Sequence, residues 1–221
     1  IEILEDIAKK ENWRTEYIFA EWSDLVEMLR KGEIDLLPDF PAIEGMDTLI
    51  KLNKVPVLRS WIEIYDEKYD HVQKLEDLKG LKVGVLKSSL QETLFKDKSV
   101  KNFDINWTLI SFNTYNEGVE MLLDDRIDVL ISNRFFFFSD LFNKHNLYST
   151  QIIFHPTNLH FASNKDNLQI IQKIDENLSI MLNDPNSIYY KVQNKYFLKF
   201  KSDYRKFKLL VQHLFGFITL T

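Results

Sequence analysis

Two stretches of this chain repeat one short pattern at a fixed offset. Residues 22–37 read WSDLVEMLRKGEIDLL and residues 115–130 read YNEGVEMLLDDRIDVL, so Val-Glu-Met-Leu and Ile-Asp recur unchanged. In each copy a polar residue, Ser23 or Asn116, is predicted to cap a short helix with apolar residues at helical spacing, and a tight turn leads into a short apolar strand. The repeat predicts a duplicated helix–turn–strand unit. The alternative is two unrelated units that share common residues.

Strand and helix candidates alternate along the rest of the chain. The strand candidates are residues 16–20, 34–38, 57–65, 82–86, 107–111, 127–132 and 150–154. The helix candidates are residues 2–11, 22–31, 89–97, 115–124, 135–145, 166–183 and 187–197. Such alternation is typical of open, mostly parallel sheets with helices on both faces. We therefore predict an α/β fold.

The repeat also predicts where a ligand would bind. In open α/β sheets, ligands bind beyond the carboxyl ends of the strands. Residues 38–40 and 131–134 are equivalent in the two copies, as are Trp22 and Tyr115, and we expect both segments just past a strand end. If the two copies face each other, these two segments line one cleft. We expect the chain to cross between the copies near residues 60–65 and to return near residues 158–163.

Composition excludes several classes of protein. The 221 residues contain no cysteine, which excludes disulfides, cysteine-ligated metals and a thiol nucleophile. A net charge of -5 argues against a nucleic-acid partner, which would need a basic face. The five histidines lack metal-ligand spacing, and no phosphate-binding loop or nucleophile elbow occurs. We therefore expect no catalytic residues, no metal and no cofactor, and a protein that is not an enzyme.

The two ends of the sequence carry separate expectations. No stretch reaches the about 18 apolar residues of a membrane span. Residues 1–6 read as the first turn of a helix rather than as a signal peptide. Residues 209–218 are apolar and follow a basic stretch, which favours a docking helix, with the start of a membrane helix as the alternative.

Three segments resemble one known family. They are residues 22–35, with Trp followed by Leu-Arg-Lys-Gly-Glu-Ile-Asp; residues 75–85, LEDLKGLKVGV; and residues 184–197, with Tyr-Tyr and Lys-Tyr-Phe. In this order and spacing they resemble the extracytoplasmic solute-binding family 3, which has the type II periplasmic binding-protein fold. The resemblance implies two lobes joined by a hinge. Lobe 1 would comprise residues 1–65 plus 162–221, without the family's first strand, and lobe 2 residues 66–161.

Four further segments look like the sensor versions of this domain, which precede histidine kinases or diguanylate cyclases. They are residues 37–39, 56–61, 133–136 and 154–162. This resemblance implies the periplasmic, extracytoplasmic portion of a bacterial inner-membrane protein. It would bind a small molecule in the interlobe cleft and signal to a cytoplasmic domain in a two-component system. A homodimer is possible. Three alternative functions also remain: an ABC-transporter binding protein, a non-catalytic domain of a cell-wall lyase, and a dehydratase on this fold.

The amino-acid binders of this family hold the ligand with two charges. An Arg pairs with its carboxylate and an Asp with its ammonium; the corresponding positions here are Met46 and Asn133. Burying a zwitterion without these partners costs several kcal/mol. The resemblance thus implies a ligand that is not a standard α-amino acid in the usual pose.

The candidate ligand-binding residues come from both copies of the repeat and from the segments between them. Ser88 and Ser89 open a helix whose N-terminus suits an anion, although capping with Glu92 explains them equally well. Arg134 could replace the missing anchor and select an anion, or form a salt bridge instead. The full set is Asp39, Phe40, Trp61, Ser88, Ser89, Gln91, Asn133 and Arg134.

Three of these candidates have a competing structural explanation. Asp39 could accept a hydrogen bond from the ligand or from Arg134, or serve only as a turn residue. Trp61 could stack on the ligand or pack at the hinge. Gln91 could point into the cleft or remain on its helix.

Overall fold

The structure is a computed structural model whose described residues are 1–42, 48–69, 71–96 and 105–198, apart from the side chains of Phe197 and Leu198. The expectations for Met46 and for residues 209–218 therefore fall outside the described residues. Among the helices that the structure describes, none is both long and apolar enough to cross a membrane.

The elements follow the predicted alternation closely. The helices are α1 (Glu2–Lys10), α2 (Trp22–Lys31), α3 (Leu90–Lys96), α4 (Tyr115–Leu123), α5 (Asp140–Lys144), α6 (Leu168–Asn183) and α7 (Ile188–Gln193). Shorter helical turns are the 3-10 helices Leu75–Leu78 and Arg134–Phe138 and the π-helix Asn194–Leu198. The strands are β1 (Leu37–Pro41), β2 (Ile50–Leu52), β3 (Leu58–Asp66), β4 (Lys82–Leu86), β5 (Thr108–Phe112), β6 (Val129–Asn133) and β7 (Tyr148–Asn164).

The chain divides into two compact units. One comprises residues 1–17 together with the segment from Gln172 onward, and the other residues 18–171. The predicted lobe boundaries, at residues 65 and 162, divide the chain elsewhere and stay a prediction.

The first unit ties the start of the chain to its later helices. The carboxylate of Glu2 accepts hydrogen bonds from Lys195 Nζ at 2.7 Å and from the Tyr196 hydroxyl at 2.5 Å. These donors hold the pKa of Glu2 below its ordinary value. At the other end of α1, Glu11 accepts a hydrogen bond from Asn177 Nδ2 at 2.7 Å. Helix α1 is therefore fixed at both ends by polar contacts.

The second unit contains the sheet, whose strand order is β1-β7-β3-β6-β4-β5, with β2 also paired to β7. The parallel pairs are β4 with β5 and β4 with β6. The pairs made by β3 and β7 are antiparallel, including the pair that these strands form with each other. The α/β class is thus confirmed, and its parallel part is confined to β4, β5 and β6. Antiparallel pairs are more numerous because β3 and β7, the predicted crossing segments, run in opposite directions side by side.

Apolar residues of the central strands alternate between two cores. Val83, Val85, Val129 and Ile131 belong to a cluster that α3 covers with Leu90 and Phe95. Leu86 and Leu130 belong to a second cluster, covered by α4. Because successive side chains of a strand point to opposite faces, the two clusters lie on opposite faces of the sheet. Helices on both faces were predicted, and they are present.

The repeat is the same structural unit twice. Helix α2 leads into β1, and α4 leads into β6, with the equivalent residues Leu37 and Leu130 both buried. The predicted caps were wrong, because the N-cap residues are Glu21 and Thr114. The equivalent segments 38–40 and 131–134 were expected just past the strands, but most of their residues form the strand ends themselves.

Several elements differ from the prediction. Residues 16–20 form no strand, and β2 was missed. Phe19 is 90% exposed, so this side chain is scarcely covered by the described residues. The predicted strand 150–154 is the middle of the 17-residue β7, which is extended by pairing with three strands. The predicted helix 135–145 is split at Ser139, which caps α5 by accepting a hydrogen bond from Phe142 N.

Candidate functional site

A cavity of about 170 Å³ lies within the second unit, where β3 and β7 pass between the two copies of the repeat. Drug-sized ligands occupy pockets of about 300–1,000 Å³, so this cavity suits a smaller molecule. Its lining residues are Trp22, Asp39, Pro41, Ser60, Trp61, Ile62, Leu86, Ser89, Leu90, Gln91, Tyr115, Asn133, Thr157 and Leu159.

Five of the eight candidate residues meet at this cavity. They are Asp39, Trp61, Ser89, Gln91 and Asn133. They come from β1, β3, the start of α3 and the end of β6, which are far apart in sequence. Their role in binding a ligand stays a prediction, but the structure brings them together.

The other three candidates lie outside the lining. Phe40 packs in the core formed with α2 and β7, because it points to the opposite side of β1 from Asp39. Ser88 is held by its backbone, whose N–H donates to Glu92 at 2.7 Å and whose carbonyl accepts from Trp22. The guanidinium of Arg134 stacks on Trp61 and Phe135, 4.5 and 4.8 Å from their ring centroids.

The candidate set missed two aromatic residues that line the cavity. Trp22 and Tyr115 stand at equivalent positions in the repeat, each as the first residue of its helix. Their pairing was visible in the sequence and would have placed both at the site. The other missed residues, such as Ser60, Thr157 and Leu159, carried no comparable signal, because their place depends on the pairing of β3 with β7.

Asp39 is a carboxylate in an unusual local setting. It has φ 60° in a bulge of β1, between the paired residues Leu37 and Phe40. Asp tolerates this left-handed conformation better than most residues. In the part of the chain that the structure describes, its carboxylate has no hydrogen-bond or ion-pair partner. The surrounding protein withdraws solvent from this group and raises its pKa, although the side chain opens into the cavity.

The polar atoms of the lining aromatics are already used within the protein. The indole N–H of Trp22 donates to the Ser88 carbonyl at 3.0 Å, and that of Trp61 donates to Glu63 Oε1 at 2.5 Å. The Tyr115 hydroxyl shares a 2.7 Å hydrogen bond with Ser132 Oγ. These three residues therefore offer a ligand mainly the surface of their rings.

Glu63 organises the side of the cavity next to Trp61. Its carboxylate is 8% exposed and also accepts hydrogen bonds from the Tyr65 and Ser149 hydroxyls, both at 3.0 Å. Burial, together with the nearby Glu63 charge, raises the pKa of Tyr65, so its hydroxyl remains a donor. Burial lowers the pKa of Arg134, and attraction to Glu63 opposes that lowering. Two opposite charges thus lie beside Trp61.

The start of α3 is capped as predicted. Ser89 Oγ accepts from Glu92 N at 3.1 Å and donates to the Leu86 carbonyl at 2.6 Å. Burial opposes ionisation of Glu92, but hydrogen bonds from Lys96, Ser111 and Ser88 N hold its pKa below the ordinary value. The carboxylate of Glu92 therefore takes the Ser88 N–H, one of the donors expected for an anionic ligand.

Two amide side chains retain unused hydrogen-bonding groups toward the cavity. Gln91 is 6% exposed, and its side chain has no partner among the described residues. Asn133 Oδ1 accepts from Phe135 N at 2.9 Å, which leaves its NH₂ group for a ligand. Because Oδ1 is engaged, Asn133 is poorly placed to receive a ligand ammonium.

Comparison with known proteins shows similarity in sequence and in fold. No family model matches the chain. A probable histidine-binding protein of Campylobacter jejuni is 24% identical over 134 residues, which cover 60% of this chain. The chain spans about half the length of this curated relative, since the match covers 50% of it.

Solved structures match over most of the chain. An ancestral arginine-binding protein bound to glutamine has a TM-score of 0.76 and 22% identity, covering 89% of this chain and 85% of that one. A histidine kinase sensor domain with similarity to periplasmic binding proteins has a TM-score of 0.76 and 16% identity, covering 89% and 84%. A putative L-cystine ABC transporter protein from Listeria monocytogenes has a TM-score of 0.74 and 18% identity, covering 88% and 84%. The resemblance indicated by the motifs is confirmed at the level of the fold.

Proposed function

We propose that this chain is an extracytoplasmic domain that binds a small solute in the cavity and signals by closing around it. One observation carries the proposal: Asp39, Gln91 and the NH₂ group of Asn133 converge on one cavity without protein partners among the described residues. Ligand pockets present a small number of convergent polar groups, so three unused polar groups at one cavity are suited to holding a ligand. The function is binding rather than catalysis.

Closure follows from the positions of these groups along the chain. With the predicted lobe boundaries, Asp39 and Trp61 belong to lobe 1, and Gln91 and Asn133 to lobe 2. A ligand that touches all four gains its full binding energy only in the closed state, so it shifts the population toward closure. The antiparallel strands β3 and β7 are the connections about which the lobes would move.

Two observations support a sensor. The segments that resemble sensor domains supply Asp39, Trp61, Asn133 and Leu159 to the cavity lining. A histidine kinase sensor domain also has the same fold. On this proposal the domain lies in the periplasm of a bacterium, joined through the inner membrane to a cytoplasmic output domain, as a monomer or a homodimer.

The second candidate is the binding protein of an ABC transporter. It is supported by the similarity to a probable histidine-binding protein and to transporter proteins. The complete coding sequence of the gene distinguishes the sensor from the transporter binding protein. A membrane-spanning segment and an output domain in the same polypeptide would support the sensor, whereas a separate soluble polypeptide would support the transporter.

Binding and closure can be tested together. The protein would be screened with amino acids, amines, carboxylates and sugars. We expect at least one of these classes to raise the melting temperature of the protein, which reports binding, and to reduce its radius of gyration in X-ray scattering, which reports closure. Gln91→Ala should weaken the response, because one hydrogen bond to the ligand contributes about 0.5–1.5 kcal/mol, and Gln172→Ala, at an exposed position in α6, should retain it. A response unaffected by Gln91→Ala, or no response to any class, would contradict the proposal.

A further inference from the structure

The geometry points to a ligand that carries a positive charge and lacks an α-carboxylate, held by Asp39 among the rings of Trp22, Trp61 and Tyr115. Amines, guanidines and quaternary ammonium compounds belong to this class. The inference rests on the proposed function and names the chemical class of its ligand. It differs from the sequence-based expectation of an anion selected by Arg134 or by the start of α3.

Asp39 provides the charge. Apart from the weakly acidic phenol of Tyr115, it is the one ionisable side chain among the described residues that line the cavity. Its carboxylate has no partner among the described residues. Asp39 is exposed on β1 and borders the cavity, so its carboxylate can accept from a cationic donor there, and charge-assisted hydrogen bonds are about twice as strong as neutral ones.

The aromatic rings provide the remainder of a cation site. A cation is attracted to the face of an aromatic ring within about 6 Å of its centroid, and most strongly to Trp. Trp22 and Trp61 have already used their N–H groups, and Tyr115 has used its hydroxyl. Two indole rings whose N–H groups are already used, the ring of Tyr115 and one carboxylate together match an organic cation.

The surroundings disfavour an anion. Among the described residues that line the cavity there is no Lys, Arg or His. At the start of α3, Glu92 accepts the backbone N–H of Ser88, which could otherwise donate to an anion's oxygen.

Arg134 does not reverse this preference. It stacks on Trp61, and the carboxylate of Glu63 accepts a hydrogen bond from the same indole. The cation and the anion beside Trp61 largely offset each other's field at the ring. Neither residue lines the cavity.

The α-carboxylate is excluded by the same set of groups. A carboxylate in the cavity would meet Asp39 and three rings, and would find only neutral donors, namely the amides of Asn133 and Gln91 and the hydroxyls of Ser60, Thr157 and Tyr115. Losing its hydration without a cationic partner is costly. Removing the carboxylate from a cationic amino acid should therefore strengthen binding.

Matched pairs of compounds test the inference directly. Calorimetry would compare arginine with agmatine, lysine with cadaverine and histidine with histamine, and would include succinate as an anion. We expect at least one decarboxylated member to bind about tenfold or more tightly than its amino acid, and succinate to give no heat. Asp39→Asn should weaken that binding about 10- to 100-fold, and Asp166→Asn, at an exposed turn, should leave it unchanged.

The outcomes separate the inference from the proposed function. Asn tolerates positive φ as Asp does, so Asp39→Asn should fold, and its thermal transition verifies this. Tighter binding of succinate or of the amino acids, weakened by Gln91→Ala, would overturn the inference and leave the binding function intact. Binding of a cation that is equal in wild type and Asp39→Asn would also overturn it. No binding of any compound would overturn both.

Discussion

The indole N–H of Trp22 donates a 3.0 Å hydrogen bond to the backbone carbonyl of Ser88. The bond joins the first residue of α2 to the turn between β4 and α3, two segments that the proposed lobe boundaries assign to different lobes. Trp22 also packs against Phe40, with ring centroids 5.6 Å apart. The hydrogen bond between Trp22 and Ser88 would form when the lobes close and would be lost when they open.

Removing this hydrogen bond should favour the open state. In Trp22→Phe the ring remains but the N–H is lost, at a cost of about 0.5–1.5 kcal/mol to the closed state. We expect the ligand-free radius of gyration to rise and the affinity to fall by up to about tenfold. Trp107→Phe, at a tryptophan outside the cavity lining, is the matched control. Equal scattering curves and affinities for both variants would contradict a role in closure.

The carboxyl group of Asp39 should make both stability and binding depend on pH. Its folded-state pKa is raised by burial, so it destabilises the folded, ligand-free protein as pH rises above the ordinary carboxyl pKa of about 3.9. We expect Asp39→Asn to melt at the same temperature as wild type below that pH and at a higher temperature near neutrality.

If the ligand is a cation, its affinity should also depend on pH. A bound cation stabilises the ionised carboxylate, so affinity for agmatine should increase as pH rises through the raised pKa and should fall below it. In Asp39→Asn this dependence should disappear. Calorimetry from about pH 4 to about pH 8 measures it, and an affinity independent of pH in the wild type would count against the assignment of Asp39.

Glu63 should stabilise the folded protein and hold the Trp61 side chain in place, because it accepts hydrogen bonds from three side chains. Glu63→Gln cannot accept from Trp61, Tyr65 and Ser149 in the same way, and leaving one buried donor unsatisfied costs about 1–3 kcal/mol. We expect a lower free energy of unfolding in urea and a weaker quench of Trp61 fluorescence by ligand. Glu120→Gln, at an exposed site in α4, serves as the control. Unchanged stability would show that the network contributes little.

Gly118 should tolerate no side chain, because α4 lies directly on Phe112. A Cβ at this position would come within 2.7 Å of the buried Phe112 ring. Overpacking of this kind costs about 1–3 kcal/mol, which exceeds the gain of up to about 1 kcal/mol from replacing Gly in a helix. Gly118→Ala should therefore lower the free energy of unfolding, and Glu120→Ala should not. A more stable Gly118→Ala protein would contradict the tight packing.

Local sequence was sufficient for most elements and for part of the site. Helix α2 and strand β4 have their predicted bounds, because helical or alternating apolar spacing and a glycine stop are local signals. Gly32, with φ 73°, ends α2 where the repeat indicated a turn. Asp39 and Asn133 were found because ligands bind at the carboxyl ends of strands, and Trp61 because it lies in the predicted crossing segment.

Whether the other candidate residues line the cavity depends on the direction of their side chains. This direction cannot be read from the local sequence. Arg134 follows Asn133 directly, yet it turns away to stack on Trp61, because Asn133 caps a 3-10 helix at that point. Phe40 adjoins Asp39 but enters the core. The bulge that turns the Asp39 carboxylate to the cavity arises from the pairing of β1 with β7.

The sequence by itself determined the alternation of strands and helices, the duplicated unit and the class of fold, since each depends on the spacing of apolar residues and turn residues over short stretches. Only the tertiary structure decided that β3 and β7 pair antiparallel and that their pairing brings Ser60 opposite Thr157 at the cavity. It also decided which polar groups are used internally and which remain for a ligand. The charge preference of the site depends on that choice, because contacts between distant residues determine which charges are neutralised.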